Sequence, residues 1–160
     1  TDQDYVLYNY GTYKSLLGRN YINAASCLIK NTVLKKLNGF DKRFQMEDWP
    51  LWLNIAKEYK FCYDDHIYFY YRKHDANMFQ KGKFAREKVN ILLREMPYCY
   101  RNNLKKTWRT HYLGNLINLY NQGDKKNSFL LALKTKSMSV IFYLGALIGK
   151  KKYKNVYSKC

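Results

Sequence analysis

The run of residues 38–52 constrains this chain more than any other part of its sequence. It opens with an Asn-Gly pair, which favours a sharp turn because both residue types tolerate a positive φ. It then sets two adjacent carboxylates, Glu47 and Asp48, before an aromatic-rich helical pattern. Asp48 is predicted to cap that helix, and Pro50 is allowed in the first turn because its missing N–H needs no partner there. The run therefore predicts a carboxylate pair fixed at a helix start.

Hydrophobic patterns predict an α/β first half and an all-helical second half. Predicted strands cover residues 21–30, 60–63 and 67–74, the last because apolar and polar residues alternate. Asn31 is predicted to cap a helix that ends with Gly39 in the left-handed C′ position. Further helices are predicted at residues 84–96, ending before Pro97, and at 108–121, 125–136 and 139–148, with the two around Gly123 packed as an antiparallel hairpin. The predicted domains are residues 1–82 and 83–160.

The charge of the chain is concentrated in its second half. Residues 1–80 carry 11 Lys and Arg against 9 Asp and Glu, whereas residues 81–160 carry 18 against 3. This basic half favours an anionic membrane surface, a diphosphate-linked substrate or nucleic acid as partner, although a solvated surface that aids solubility explains it too.

Cysteine spacing and hydropathy indicate the cellular compartment. The four cysteines lie far apart and form no metal or redox motif, which fits reduced thiols in the cytoplasm. The chain opens with Thr1 and without a signal-peptide pattern, which hints at a fragment and gives no sign of secretion. Its most apolar stretch, residues 138–149, is shorter than the roughly twenty residues needed to cross a bilayer.

Asp48 is the first candidate for chemistry. A carboxylate at a helix N-terminus is stabilised in its ionised form and projects from a fixed point, so it suits a general base toward a hydroxyl. Trp49 and Trp52 could then wall the site and stack on sugar rings. The alternative is that Glu47 and Asp48 only cap the helix while the tryptophans fill the core.

Arg72 and His74 form a second candidate pair because they lie two residues apart on one face of the predicted strand. The arginine could pair with phosphate oxygens, and the histidine could bind a divalent metal. An ordinary surface position for His74 is the alternative.

The order and spacing of three pieces resemble the C-terminal half of family 2 glycosyltransferases with the GT-A fold. The pieces are Ile29 to Asp41 with its Asn-Gly-Phe-Asp, the segment Glu47-Asp48-Trp49-Pro50-Leu51-Trp52-Leu53, and Tyr70-Tyr71-Arg72-Lys73-His74, and the resemblance covers roughly residues 20–80. It implies a partial GT-A-like mixed sheet with helices. It also implies that Asp48, with Glu47 beside it, is the base of an inverting sugar transfer.

The same resemblance implies the ligands of the site. The donor would be a nucleotide sugar and the acceptor a saccharide or lipid-linked molecule of surface polysaccharide synthesis, with Trp49, Trp52 and Arg72 binding substrate. His74 would contribute to a Mg²⁺ or Mn²⁺ site that an Asp-x-Asp motif, not clearly present here, would complete. The family's nucleotide-binding half is also missing, so these 160 residues are expected to be inactive alone. The basic helical tail resembles extensions that hold such enzymes at the inner membrane surface.

Two other function classes remain open. Residues 81–160 interleave aromatic and basic residues, which would suit a non-enzymatic module that binds anionic membranes or nucleic acid. No recognised nucleic-acid-binding fold signature is present, so nucleic acid is not the expected partner. A helical-repeat scaffold is the third possibility, and the strand patterns argue against it.

Overall fold

A computed structural model describes residues 12–64, 66–67, 70, 72 and 84–135. These residues form α-helices joined by turns and one short 3-10 helix at Ala24–Ser26. The helices are α1 (Tyr13–Gly18), α2 (Asn31–Lys36), α3 (Asp48–Glu58), α4 (Ala85–Arg101), α5 (Lys105–Asn121) and α6 (Lys125–Lys134).

The predicted α/β class, with its GT-A-like mixed sheet, is wrong for the residues described, which contain helices and no strand. In the expected strand at residues 21–30, the Asn23 side chain accepts a hydrogen bond from the Ala25 N–H and starts the 3-10 turn, while Leu28 is fully exposed. Asn side chains offer the backbone such local bonds in place of a sheet ladder. Residues 60–63 form no strand either, and most of residues 67–74 lie outside the described part.

The start and end of α2 differ from the prediction by one position. Lys30, not Asn31, is the N-cap. At the other end Asn38 occupies the left-handed C′ position with φ 59°, and Gly39 follows with φ 65°. The Asn38 N–H donates to Lys35 O and the Gly39 N–H to Leu34 O, which is the Schellman arrangement. The Asn-Gly pair therefore turns the chain as predicted, but Asn38 makes the first left-handed step.

Residues 84–135 of the second half are helical as predicted, and three helix boundaries differ from the prediction. The helix predicted at residues 108–121 begins at Lys105, and the one predicted at 125–136 ends at Lys134. The helix expected to stop before Pro97 continues through it to Arg101. The antiparallel hairpin is confirmed, because the Tyr112 hydroxyl donates to Leu131 O at 2.8 Å and the Ser128 hydroxyl to Leu116 O at 2.9 Å. The helix predicted at residues 139–148 lies outside the described part.

One hydrophobic core runs through the described residues. It includes Leu16 of α1, Trp52 of α3, Leu92 of α4 and Trp108 of α5, each nearly or fully buried. The predicted domain division at residues 82 and 83 stays a prediction, and the described residues on its two sides share this core. No helix within the described ranges is long and apolar enough to span a membrane.

Candidate functional site

The prediction that Asp48 caps α3 is wrong, because Glu47 is the N-cap and Asp48 is the first residue of the helix. The Asp48 carboxylate is held by two donors. The Trp49 N–H donates to Asp48 Oδ1 at 2.7 Å, and the Asn20 side-chain amide donates to the same oxygen at 3.1 Å. The residues described give Oδ2 no donor, and the Asp48 side chain is only half-buried. One oxygen thus fixes the carboxylate, and the other is left to accept a proton or a hydrogen bond.

The start of α3 is fixed by the packing of its tryptophans. Trp49 and Trp52 are 2% and 1% exposed, and the Trp49 indole N–H donates to Leu16 O at 2.7 Å. Trp52 meets the ring of Phe61 edge to face at a centroid distance of 6.3 Å. The structure therefore places both indoles in the core, where Trp49 ties α3 to α1 and neither indole presents an open face to a sugar ring.

Glu47 and Cys27 complete the surroundings of Asp48. Glu47 precedes α3, is exposed, and makes no side-chain cap to the helix. Burial raises the pKa of the Cys27 thiol, and the negative charge of nearby Asp48 raises it further. Cys27 is consequently a neutral neighbour of the carboxylate and not a thiolate nucleophile.

The second predicted pair is described only in part. Arg72 is exposed, whereas His74 lies outside the described part, so the metal role of His74 stays a prediction. Among the residues with described positions, no three His, Cys, Asp or Glu side chains cluster closely enough to hold a metal ion. The Mg²⁺ or Mn²⁺ site likewise stays a prediction.

Asn20 is the neighbour of Asp48 that the sequence did not reveal. It lies 28 residues before Asp48, in the segment after α1, so no helical or strand period connects the two. Its amide nitrogen must face the carboxylate, because the amide oxygen would be repelled there. Only the three-dimensional structure shows that Asn20 and Asp48 are in contact.

Comparisons with known proteins found no relative of this chain. No family model, no curated protein and no solved structure matches the chain.

Proposed function

We propose that residues 20–80 contribute the acceptor side of a glycosyltransferase and that Asp48 is its general base. The observation that carries the proposal is the half-buried Asp48 carboxylate at the start of α3, anchored through Oδ1 by Asn20 and the Trp49 N–H. The position of Glu47-Asp48 within the family-like motif order supports the same assignment.

In the proposed reaction the acceptor hydroxyl attacks the anomeric carbon of a nucleotide sugar. A new carbon–oxygen bond forms, the bond from that carbon to the diphosphate oxygen breaks, and the configuration inverts. Asp48 Oδ2 takes the hydroxyl proton, while the Asn20 amide keeps the carboxylate oriented. Arg72 would pair with the departing diphosphate.

The burial of Trp49 and Trp52 changes the role that we give them. Both indoles are covered by protein, so their contribution is to fix the helix start that carries Asp48. Glu47 is exposed beside it and would help to bind the acceptor.

The test replaces Asp48 in the natural protein that contains this chain and measures release of nucleoside diphosphate from a panel of nucleotide sugars. Asp48→Asn should lower the transfer rate by about 10²–10⁴-fold, the usual contribution of a general base. Glu58→Gln, at an exposed site paired with Lys36, should leave the rate unchanged. Full transfer by Asp48→Asn, or no turnover of any donor by the unaltered protein, would overturn the proposal.

Asn20 offers a second measurement. Asn20→Ala should lower kcat with little change in KM, because it loosens the base without touching the acceptor. An unchanged kcat would show that Asn20 does not position Asp48.

A further inference from the structure

Two side chains of α4 contact the chain just before and just after Asp48. Glu87 Oε1 accepts a hydrogen bond from the Met46 N–H at 2.8 Å. The Arg94 guanidinium lies against the first turn of α3, where it donates to Pro50 O at 3.4 Å. Met46 and Pro50 each lie two residues from Asp48. Helix α4 therefore holds the backbone on both sides of this carboxylate.

The start of α3 depends on such contacts because the helix lacks a side-chain cap of its own. Glu47 is the N-cap residue and makes no side-chain cap hydrogen bond. The N–H of Met46, a residue that is 6% exposed, has Glu87 as its acceptor. A hydrogen bond to a carboxylate is stronger than one between neutral groups. Without Glu87 this N–H would lose its acceptor, and a shift of the backbone toward water would relieve the loss.

Arg94 joins the loop before α3 to the body of that helix. Its guanidinium donates to Asn54 Oδ1 at 2.6 Å and lies 3.5 Å from Asp41 Oδ2. Hydrogen bonds from Arg43, with a smaller contribution from the charge of Arg94, lower the pKa of Asp41 to about 2, so this carboxylate is ionised at neutral pH. Arg94 Nε also lies 3.1 Å from Glu95 Oε1. A planar guanidinium can serve these partners together, whereas a single ammonium group cannot.

We propose that Glu87 and Arg94 are positioning residues for the base Asp48, an inference that rests on the proposed glycosyl transfer. Asn20 orients the Asp48 carboxylate, and the two α4 side chains fix the backbone from which that carboxylate projects. A base must lie within hydrogen-bond distance of the hydroxyl whose proton it takes, and a displacement of about 1 Å can slow a reaction by about 10²-fold. The helical half thus contributes to the reaction through α4.

The test compares Glu87→Ala with Glu87→Gln in the natural protein that contains this chain. Hydrogen–deuterium exchange of residues 46–52, measured by mass spectrometry, reports how firmly the start of α3 is held. Glu87→Ala should speed this exchange by about tenfold. It should lower kcat by about 10–100-fold and leave KM for the nucleotide sugar within about twofold. Glu87→Gln keeps an oxygen that can accept the Met46 N–H, so it should restore both exchange and kcat toward the unaltered values.

The matched control is Glu58→Ala, the same substitution at the C-terminal end of α3, where the exposed carboxylate pairs with Lys36. It should change neither kcat nor the exchange of residues 46–52. Equal slowing of transfer by Glu87→Ala and Glu58→Ala would show that stability, not the placement of Asp48, determines the rate, and would overturn the proposal. Unchanged exchange of residues 46–52 in Glu87→Ala would overturn it as well.

The role of Arg94 is tested by Arg94→Lys, which keeps a positive charge beside Asp41 and Glu95. One ammonium group cannot also hold Pro50 O and Asn54, so exchange of residues 48–54 should rise and kcat should fall by about tenfold. A full kcat together with unchanged exchange would show that Arg94 does not position the base.

The two measurements separate this proposal from the glycosyltransferase assignment. If the unaltered protein turns over no donor, that assignment fails and so does the catalytic role of Glu87 and Arg94, whereas exchange still decides whether they hold the segment that carries Asp48. If Asp48→Asn abolishes transfer while Glu87→Ala and Arg94→Lys transfer at the full rate, the assignment stands and the positioning role is wrong.

Discussion

Glu95 lies on α4 with its side chain fully buried, and its charge is balanced inside the protein. Lys57 Nζ is 2.7 Å from Glu95 Oε2, and the Tyr13 hydroxyl donates to the same oxygen at 2.8 Å. Burial, followed by the negative charge of Glu95, raises the pKa of Tyr13 far above its ordinary value, so this hydroxyl remains a donor. Lys57 also lies 5.0 Å from the centre of the Tyr98 ring. One buried carboxylate thus ties α1, α3 and α4 together.

Replacing Glu95 alone should be costly because Lys57 and Arg94, whose Nε lies 3.1 Å from Glu95 Oε1, keep their charges at largely buried positions. Glu95→Leu is expected to lower the free energy of unfolding by about 3 kcal/mol, at the low end for a broken buried pair since Lys57 is 21% exposed. Urea unfolding followed by circular dichroism measures it. Adding Lys57→Met should recover part of the loss, because Arg94 still lacks its partner at position 95, whereas an additive loss would contradict a coupled pair of Lys57 and Glu95. The exposed pair of Lys36 and Glu58 is the control, and Glu58→Gln should cost less than about 1 kcal/mol.

His111 gives the protein an acid-sensitive position in α5. It is half-buried beside Gly18, where an added Cβ would lie 2.8 Å from His111 Cε1. Burial lowers the pKa of His111. The unfolded chain therefore binds the proton more readily, and stability should fall as the pH drops below about 6.5. His111→Gln should reduce the loss of unfolding free energy between about pH 7 and pH 5. An unchanged pH dependence in His111→Gln would contradict the assignment.

At the scale of elements, α4 carries a proline inside its helical hydrogen-bond ladder. Pro97 is exposed and has no N–H, so the Leu93 carbonyl lacks its usual donor from position 97. Pro97→Ala is expected to raise the free energy of unfolding by about 1–3 kcal/mol, as measured by urea unfolding. Gly114→Ala in α5, where the added Cβ meets nothing within 4 Å, is the comparison and should gain about 0.5–1 kcal/mol. A loss with Pro97→Ala would show that α4 needs its proline to pack on α5.

The helices were more predictable than the segments between them because a helix is determined by neighbouring residues. The periodic apolar residues of α3, α5 and α6 predicted these helices, and Gly123 predicted the turn between the last two. Residues 21–30 show the limit of such patterns. A strand is stable only beside a partner strand, and the composition of one segment does not indicate whether such a partner is present. The proline rule failed at Pro97 because packing against α5 outweighs one missing hydrogen bond.

At the scale of the whole molecule, the pairs that define the core and the candidate site join distant residues. Asn20 meets Asp48 across 28 positions, and Tyr13 meets Glu95 across 82. The sequence indicated Asp48 through its place at a helix start, but it contained no signal for Asn20. The sequence also allowed Trp49 and Trp52 either to stack on a sugar ring or to fill the core. The structure shows that both indoles are buried in the core.

Cys99 can report whether this shared core unfolds as one unit. Its side chain is fully buried on α4, and Sγ lies 3.3 Å from the Tyr13 hydroxyl of α1. Burial raises the pKa of Cys99, which disfavours the reactive thiolate. We therefore expect iodoacetamide to modify exposed Cys62 in the folded protein and Cys99 only after α1 and α4 separate. Peptide mass spectrometry across a urea series should give Cys99 the same midpoint as the circular dichroism transition. Modification of Cys99 at lower urea would show that α1 detaches before the rest of the core unfolds.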